Sequence, residues 1–335
     1  MITRTMGFLI LSFACLSSAQ TYTVTDLGVL SGDTVSTGLA INSSGQIVGC
    51  SNADTYYYYC NENYPAHAFL WESNSGMQDL GTLFGDPFSV GTGVNDSGEV
   101  VGYSANAQNV SHAFAWTAKT GMIALPTPAG TTSFANAINA AGVIAGSWGD
   151  EAVLWTPTGK VYHLGTSEAV GINSHNEVTG TSWGQTSTGF VWTERKGMQV
   201  LPNLVYRGES NASAINDLGV VVGWSLTSTR STHAVLWTPS GAIRDVGSLG
   251  GTFGAAAGIN NLNQVVGSST TSYDQMRAFI WLPGHLIQDL NNLIPQGGWL
   301  LQGASAINDA GEITGWGMVY GEQHAYLLTP SAADH

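Results

Sequence analysis

The stretch Ile41-Asn42-Ser43-Ser44-Gly45-Gln46-Ile47-Val48-Gly49 contains the pattern that decides the fold. An aliphatic residue followed by Asn recurs along the chain, and each Asn is followed seven positions later by a Gly. The recurring asparagines are Asn42, Asn95, Asn139, Asn173, Asn216, Asn260 and Asn308. Regular recurrence at this spacing is typical of repeat proteins and propellers. We therefore number seven repeats, 1 to 7, by these asparagines.

A tight turn follows each recurring Asn. The residue three positions after it is always Gly or Asn, at Gly45, Gly98, Gly142, Asn176, Gly219, Asn263 and Gly311. These two residue types adopt a positive φ at the lowest cost, which is what a short hairpin turn requires. The sequence therefore predicts two strands in each repeat, strand a before the turn and strand b after it, ending near the recurring Gly.

Two further segments recur in each repeat. The first is a short apolar run such as His67–Trp71, and its lack of alternation indicates a strand, c, that is buried on both faces. The second begins eight residues after the Trp, as in Asp79-Leu80-Gly81, and predicts strand d. Each repeat thus holds four strands in a length of about 40–45 residues, which suits one propeller blade.

The order of strands at the two ends of the chain predicts how the fold closes. The chain starts with a d segment, Thr21–Gly28, and its last repeat ends with a c segment, Gln323–Leu328. Pairing these segments completes the last blade and removes exposed sheet edges. We therefore predict an all-β, seven-bladed β-propeller of four-stranded blades, closed by the N-terminal strand. The alternative is an open β-solenoid with a spare strand.

Charged residues support the pairing of strand c with strand d. In each repeat that has both strands, twelve residues separate the first positions of c and d. Opposite charges or hydrogen-bonding partners occupy these positions in His67 and Asp79, Glu151 and His163, His233 and Asp245, Arg277 and Asp289, and, through closure, His324 and Asp26. One such His–Asp pair suggests catalysis or a metal site, but the same pair in many repeats indicates a structural contact. In repeat 4 both positions are uncharged, with Thr188 and Val200, and only His112 with Ala124 breaks the complementarity.

These motifs resemble the bacterial extracellular HAF repeats, which are named after a His-Ala-Phe run. That run is present at His67-Ala68-Phe69 and His112-Ala113-Phe114, and Asp79–Leu83 matches the flanking Asp-Leu-Gly-Thr-Leu. The resemblance extends from Thr25 to Leu328 and weakens in repeats 3 and 4. It implies export and a repeat fold, and it implies no particular activity.

Composition and the N-terminus predict an exported protein that does not bind nucleic acid. Residues 1–19 have the charged start, the short apolar core and the small-residue cleavage site of a signal peptide. Residues 20–330 would then form one propeller domain, and 331–335 a short tail. The net charge of −14, with nine Lys and Arg, disfavours nucleic acid and anionic membranes as partners. We expect a monomer, extracellular or periplasmic and not inserted in a membrane.

The connections between strands differ in regularity. The a–b and c–d turns keep a constant length, and in a meander they lie on one side, which we call the uniform face. The b–c and d–a connections vary in length and form the variable face, where loops on a rigid scaffold carry function. The longest connection is the b–c segment Cys50–Ala66 of repeat 1. It contains Cys50 and Cys60, and export favours a disulfide between them over free thiols. It contains a run of four tyrosines, Tyr56, Tyr57, Tyr58 and Tyr59.

Aromatic residues near the variable face are the candidate ligand-binding residues. Besides the four tyrosines of the longest loop they are Tyr103, Trp148, Trp183, Trp224 and Trp316, at the ends of b strands. Exposed rings stack on sugars or anchor peptides, whereas buried ones pack between blades. Both interpretations stay open from the sequence.

The chain lacks the common catalytic and metal-binding motifs, so we expect no cofactor and no metal. The favoured hypothesis is a binding protein, without catalytic activity, for extracellular carbohydrate or protein. One alternative is a glycoside hydrolase or lyase using loop carboxylates such as Asp86, Asp150, Glu209 and Asp274. The other is a structural protein of the surface or matrix.

Overall fold

A computed structural model describes residues 20–53, 65–184 and 186–331. This part of the chain is all-β; its helical structure is a short 3₁₀ turn at Leu290–Asn292. No helix within these ranges has the length and apolar character needed to cross a membrane. The predicted signal peptide and Cys60 lie outside the described residues. So do the four candidate tyrosines of the longest loop, Tyr56, Tyr57, Tyr58 and Tyr59.

The strands are numbered in chain order and follow the predicted repeat. Those at position a are β2 (Val35–Ile41), β6 (Phe88–Val94), β10 (Ser133–Ile138), the second half of β13 (Val161–Ile172), β17 (Ser210–Ile215), β21 (Gly250–Ile259) and β25 (Trp299–Ile307). Those at position b are β3 (Ile47–Asn52), β7 (Val100–Ala105), β11 (Ile144–Trp148), β14 (Val178–Ser182), β18 (Val221–Leu226), β22 (Val265–Thr271) and β26 (Ile313–Val319).

The remaining strands complete each unit. Those at position c are β4 (Ala66–Glu72), β8 (Ser111–Thr117), β12 (Glu151–Trp155), β15 (Thr188–Thr193), β19 (Thr232–Trp237), β23 (Met276–Trp281) and β27 (Glu322–Pro330). Those at position d are β5 (Gly76–Asp79), β9 (Gly121–Ala124), the first half of β13, β16 (Gly197–Val200), β20 (Ile243–Gly247), β24 (Gln288–Asp289) and β1 (Tyr22–Asp26). Within each unit, neighbouring strands pair antiparallel in the order a, b, c, d.

The first strand of the chain pairs with the last. Tyr22 lies opposite Pro330 and Asp26 opposite Tyr326, so β1 covers the outer edge of β27. The backbone N–H of Leu27 donates to the carbonyl of Ala325 at 3.1 Å and extends the pairing. An edge strand that would otherwise present unpaired N–H and C=O groups is thereby satisfied.

Two pairs of repeats are joined into larger sheets. β13 runs without interruption from the d position of repeat 3 into the a position of repeat 4. Between repeats 1 and 2, Ala66 of β4 forms a single parallel bridge with Phe88 of β6. The sheets therefore number seven and eight strands at these places and four strands elsewhere.

A β-bulge in strand a explains the recurring Gly of strand b. In repeat 5 the a–b register shifts between Ala212 and Ala214, which places the bulged Ser213 out of the ladder. A Cβ added to Gly223 would then lie far inside van der Waals contact with the carbonyl oxygen of Asn211. The equivalent glycine of every repeat meets the same obstacle from its own a strand. A side chain there is incompatible with the bulge.

The recurring asparagines form a closed circle of hydrogen bonds. Each is buried, and its Nδ2 donates to the backbone carbonyl of the equivalent Asn in the next repeat, at 3.0–3.4 Å. The last of these bonds runs from Asn308 in repeat 7 back to Asn42 in repeat 1. Each Asn Oδ1 also accepts from two backbone N–H groups of its own a–b turn, as Asn42 does from Ser44 and Gln46.

The core lies between neighbouring units. Phe69, Phe114, Phe190 and Phe279 of the c strands are fully buried, as is Tyr326 in repeat 7. One cluster joins Val48 and Leu70 of repeat 1 to Val100 and Phe114 of repeat 2. Because each c strand has neighbours on both faces, its sequence shows no polar alternation.

Candidate binding surfaces

The charged pairs of strands c and d lie on the variable face, at the ends of their strands. Nδ1 of the His lies 2.8–2.9 Å from a carboxylate oxygen in four pairs, and Arg277 Nε lies 3.7 Å from Asp289. The partners are diagonal rather than directly opposite: Asp79 lies opposite Phe69, two residues beyond His67. Such diagonal neighbours remain within reach of long side chains.

The repetition of these contacts indicates that they hold strand d in place. Asp26 and Asp79 also accept from the backbone N–H of the Gly two residues later, at 2.8 Å from Gly28 and 2.7 Å from Gly81. In repeat 3 the signs are exchanged, and hydrogen bonds from His163 and Trp148 lower the pKa of the Glu151 carboxyl. His112, which has no acidic partner, packs edge-on against Phe84 with ring centroids 6.4 Å apart.

The predicted aromatic residues at the ends of b strands fall into two groups. Tyr103 packs against Phe88 and Phe134, and Trp148 packs against Trp155 and His163, at centroid distances of 4.9–6.2 Å. Trp316 is buried and Trp224 is half-buried, whereas Trp183 is 52% exposed. Among these five residues, Trp183 is therefore the one whose side chain is mostly open to solvent.

Four other aromatic residues are strongly exposed, and sequence reasoning did not single them out. Phe84, Tyr206, Tyr273 and Tyr320 are 84–93% exposed. With Trp183 they are the large aromatic residues of the described chain that face solvent, and all five lie in b–c or d–a connections. The exposed large aliphatic residues lie instead on d strands or in turns of the uniform face, at Ile123, Val200, Leu218, Leu262 and Leu286.

The backbone holds these aromatic residues at the tips of tight turns. Phe84 and Tyr320 have φ of 53° and 52°, and Arg207 and Asp274, the neighbours of Tyr206 and Tyr273, have φ of 58°. A non-glycine residue in this region costs of order 1 kcal/mol or more and persists where its surroundings enforce it. The sequence signal that could have revealed them is an aromatic residue beside a turn residue within a variable connection.

A central channel is lined by residues of all seven repeats. At the uniform face its mouth is a cavity of about 280 Å³, lined by the recurring aliphatic–Asn pairs and the residue after each pair. Deeper in the channel lies a second cavity of about 240 Å³, lined by the bulged residues of the a strands. The recurring aliphatic side chains, such as Ile138 and Val94, line both cavities. The mouth also carries Asp96, Asp217 and Asp309.

Two further cavities on the uniform face lie on either side of repeat 4. One, of about 320 Å³, lies between repeats 3 and 4, and the other, of about 470 Å³, between repeats 4 and 5. The prediction that placed any site on the variable face did not anticipate them. Another cavity, of about 330 Å³, lies between repeats 1 and 2, where the repeat pattern is regular.

The carboxylates considered for hydrolysis do not come together in a cavity. Asp150, Glu209 and Asp274 are exposed, and Asp86 accepts a hydrogen bond from Ser104 at 3.0 Å. None of the four lines the cavities described above. Within residues 20–53, 65–184 and 186–331, no group of three or more His, Cys, Asp or Glu side chains is arranged to hold a metal ion.

Two predictions about the longest loop, its disulfide and its ligand-binding tyrosines, are not tested by the structure. Cys50 is fully buried on β3. Since Cys60 lies outside the described residues, the disulfide between them stays a prediction. The ligand-binding role expected of the four tyrosines also stays a prediction, because the structure places none of Tyr56, Tyr57, Tyr58 and Tyr59. The candidate binding surface of the described chain therefore consists of the exposed aromatic residues Phe84, Trp183, Tyr206, Tyr273 and Tyr320.

Comparison with solved structures identifies propeller-like proteins. Virginiamycin B lyase from Staphylococcus aureus superposes with a TM-score of 0.62 at 12% sequence identity, covering 92% of this chain and 99% of the lyase. An acylaminoacyl peptidase from Pyrococcus horikoshii superposes with a TM-score of 0.53 at 8% identity, covering 89% of this chain and 52% of the peptidase. At these identities the likeness extends to the fold alone.

No protein-family model matches the sequence, and no curated protein matches it either.

Proposed function

We propose that this chain is a secreted, seven-bladed β-propeller that binds carbohydrate or protein through its variable face. The observation that carries the proposal is the distribution of exposed aromatic residues. Phe84, Trp183, Tyr206, Tyr273 and Tyr320 all lie in b–c or d–a connections, and the exposed apolar residues elsewhere are aliphatic. Exposed aromatic rings are favourable anchors for sugars and for protein partners.

The blade count and the closure rest on two independent observations. β1 pairs with β27 along its full length, which brings together the first and last strands of the described chain. The hydrogen bonds of the recurring asparagines pass through seven repeats and return to the first. Both favour a ring over an open solenoid, which would leave the first and last repeats apart.

The arrangement of the aromatic residues favours an extended ligand. They belong to the connections of repeats 1, 4, 6 and 7, so they are distributed around the face and not gathered in one pocket. Four of them lie at or beside a turn residue with positive φ, and an ordered turn backbone reduces the entropy lost on binding. A polysaccharide chain or a protein surface reaches several such anchors at once, and each weak contact then adds to the total affinity.

Export is proposed from the sequence of residues 1–19, and its test is N-terminal sequencing of protein from the culture medium or periplasm. A mature chain beginning near Gln20 is expected. A chain that keeps residues 1–19 inside the cell would contradict it.

The binding function is tested with a triple variant, Tyr206→Ser, Tyr273→Ser and Tyr320→Ser. Each ring contributes about 0.5–1.5 kcal/mol beyond its buried area, so the triple variant is expected to bind at least about tenfold more weakly. Binding is measured on a glycan array for carbohydrate and by affinity capture from extracellular extract for protein. The identity of the bound partner distinguishes the two classes of ligand.

The matched control removes the same number of exposed apolar side chains from the uniform face, as Leu218→Ser, Leu262→Ser and Leu286→Ser. It is expected to bind as the unaltered protein does, and both variants to keep the thermal midpoint of unfolding within a few degrees. Equal loss of binding in the control, or full binding by the tyrosine variant, would contradict the proposal.

A further inference from the structure

We propose a second binding site, for a neutral pyranose sugar, in the cavity between repeats 3 and 4 on the uniform face. The cavity has a volume of about 320 Å³ and is lined by Tyr162 from repeat 3 and by His175, Glu177, Trp192, Glu194 and Arg195 from repeat 4. It lies on the side of the molecule opposite the aromatic loops. The site is therefore independent of the proposed ligand-binding face.

Trp192 departs from the behaviour of its equivalents in the other repeats. The Trp that ends strand c is buried in five repeats, with 0–7% exposure at Trp71, Trp116, Trp155, Trp237 and Trp281. Repeat 7 has the buried Leu328 at this position. Trp192 alone in this set is half-buried, and it forms a wall of the cavity. An indole that the fold elsewhere places in the core is here available to a ligand.

The indole N–H of Trp192 also lacks the partner that two of its equivalents have. Nε1 of Trp155 donates to the carbonyl of Pro126 at 2.8 Å, and Nε1 of Trp237 donates to the carbonyl of Pro202 at 2.7 Å. In the described part of the chain, Trp192 Nε1 makes no such bond. Indole N–H groups usually find an acceptor when they leave water.

Repeat 4 combines two residues at this rim that occur together in no other repeat. In repeats 3, 5, 6 and 7 a proline stands two residues after the Trp or its equivalent, and Pro157, Pro239 and Pro330 lie against the a–b turn glycine of their repeats. In repeat 4 the proline is replaced by Glu194 and the glycine by Asn176, whose φ is 59°. Both changes exchange small or apolar groups at this rim for polar ones.

The side chains that line the cavity indicate the chemical class of the ligand. The rings of Tyr162 and Trp192, with Val143 and Leu154 nearby, supply an apolar surface. Glu177 and Glu194 supply acceptors, and Arg195 supplies donors. Lys160 Nζ lies 3.9 Å from the centre of the Tyr162 ring. With Arg195 it brings the cations around the cavity to two, the same number as the lining carboxylates. A ligand with one apolar face, several hydroxyls and no net charge matches this surface, which describes a pyranose.

The proposal is tested by saturation-transfer NMR with the methyl glycosides of glucose, galactose and mannose, followed by calorimetric titration of those that bind. Glucosamine and glucose 6-phosphate serve as charged analogues, and indole as an apolar one. At least one methyl glycoside is expected to bind, and more tightly than its charged analogues. Saturation transfer to none of the methyl glycosides, or to indole alone, would overturn the assignment.

Two variants locate the binding. Trp192→Leu introduces the residue that repeat 7 has, and Glu194→Pro introduces the residue of repeats 3, 5, 6 and 7. Each variant is expected to weaken binding at least tenfold. Ala118→Pro makes the same change at the equivalent position of repeat 2, where the Trp stays buried, and is expected to leave binding unchanged. Leu262→Ser, in the exposed a–b turn of repeat 6, is a second control and is expected to leave binding unchanged. Binding that survives both repeat 4 variants would place the sugar elsewhere.

Discussion

Gly223 illustrates how a single residue position is fixed by the backbone of its neighbour. Its Cα faces the bulge of β17 so closely that no side chain fits, and the carbonyl oxygen of Asn211 takes the place of a Cβ. The recurring Gly is therefore a requirement of the bulge. The left-handed Gly of the preceding turn has a different cause, its positive φ of 72° at Gly219.

Gly223→Ala is expected to lower the free energy of unfolding by more than about 3 kcal/mol, because the added Cβ must push β17 and β18 apart. Gly241→Ala is the matched control. Its added Cβ meets no atom within 4 Å, so its cost comes from a φ of 85° alone and is about 1 kcal/mol. Urea denaturation measures both variants. Equal costs would show that the bulge yields easily.

The sequence did not show which of the candidate aromatic residues are buried and which are exposed. The positions of Trp148 and Trp183 look alike in the sequence, since both lie at the end of a b strand. In the structure Trp148 packs between Trp155 and His163, whereas Trp183 extends into solvent. Burial depends on whether the surrounding strands offer a partner ring, and this contact between separate segments is absent from the local pattern.

At the scale of strands, much of the fold could be predicted because the same four-strand pattern recurs in several repeats. Each repeat has the hairpin turn and the buried c strand, and several have the charged pair seen at His67 and His233. The strands of an irregular repeat can therefore be assigned by alignment with the others. The continuous β13 was not foreseen, since nothing in residues 161–172 marks the place where one unit ends and the next begins. Tyr206 and Tyr273 were missed because loops of variable length do not align between repeats.

β1 is the element whose removal should affect the fold most. It contributes the buried side chain of Tyr22, leads into the buried Leu27 and covers the edge of β27. Deletion of residues 20–28 is expected to lower the thermal midpoint by roughly 10 °C or more, and to cause self-association through the uncovered edge.

Calorimetry and light scattering measure these two effects. Deletion of residues 332–335, at the other end of the chain, is the control and should change neither. A monomeric deletion variant with an unchanged midpoint would show that β1 does not complete the last unit.

At the scale of the whole molecule, the buried asparagines connect every repeat with the next. Asn216 joins repeats 5 and 6 through its bonds to the Asn260 carbonyl and to Asn263 Oδ1, at 3.0 and 2.9 Å. It also accepts from the N–H groups of Leu218 and Val220 within its own turn. One side chain thus supports both a hairpin and the contact between two units.

Asn216→Ala is expected to lower the free energy of unfolding by about 2 kcal/mol or more, because it leaves buried donors and acceptors unpaired. Leu218→Ala in the same turn removes a side chain that is 55% exposed and is expected to cost less than about 0.5 kcal/mol. Chemical denaturation measures both. Similar costs for the two variants would show that the bonds to repeat 6 contribute little.

The circle of asparagine bonds has a consequence for how this protein should come apart. A linear stack of repeats has terminal members that fray first, because each of them lacks one neighbour. In the closed ring that we propose, the bond from Asn308 to Asn42 gives every repeat two neighbours, and no repeat occupies a terminal position. Loss of order cannot start at an end and spread inwards; it must begin with a break between two adjacent units, after which all the remaining ones become vulnerable together.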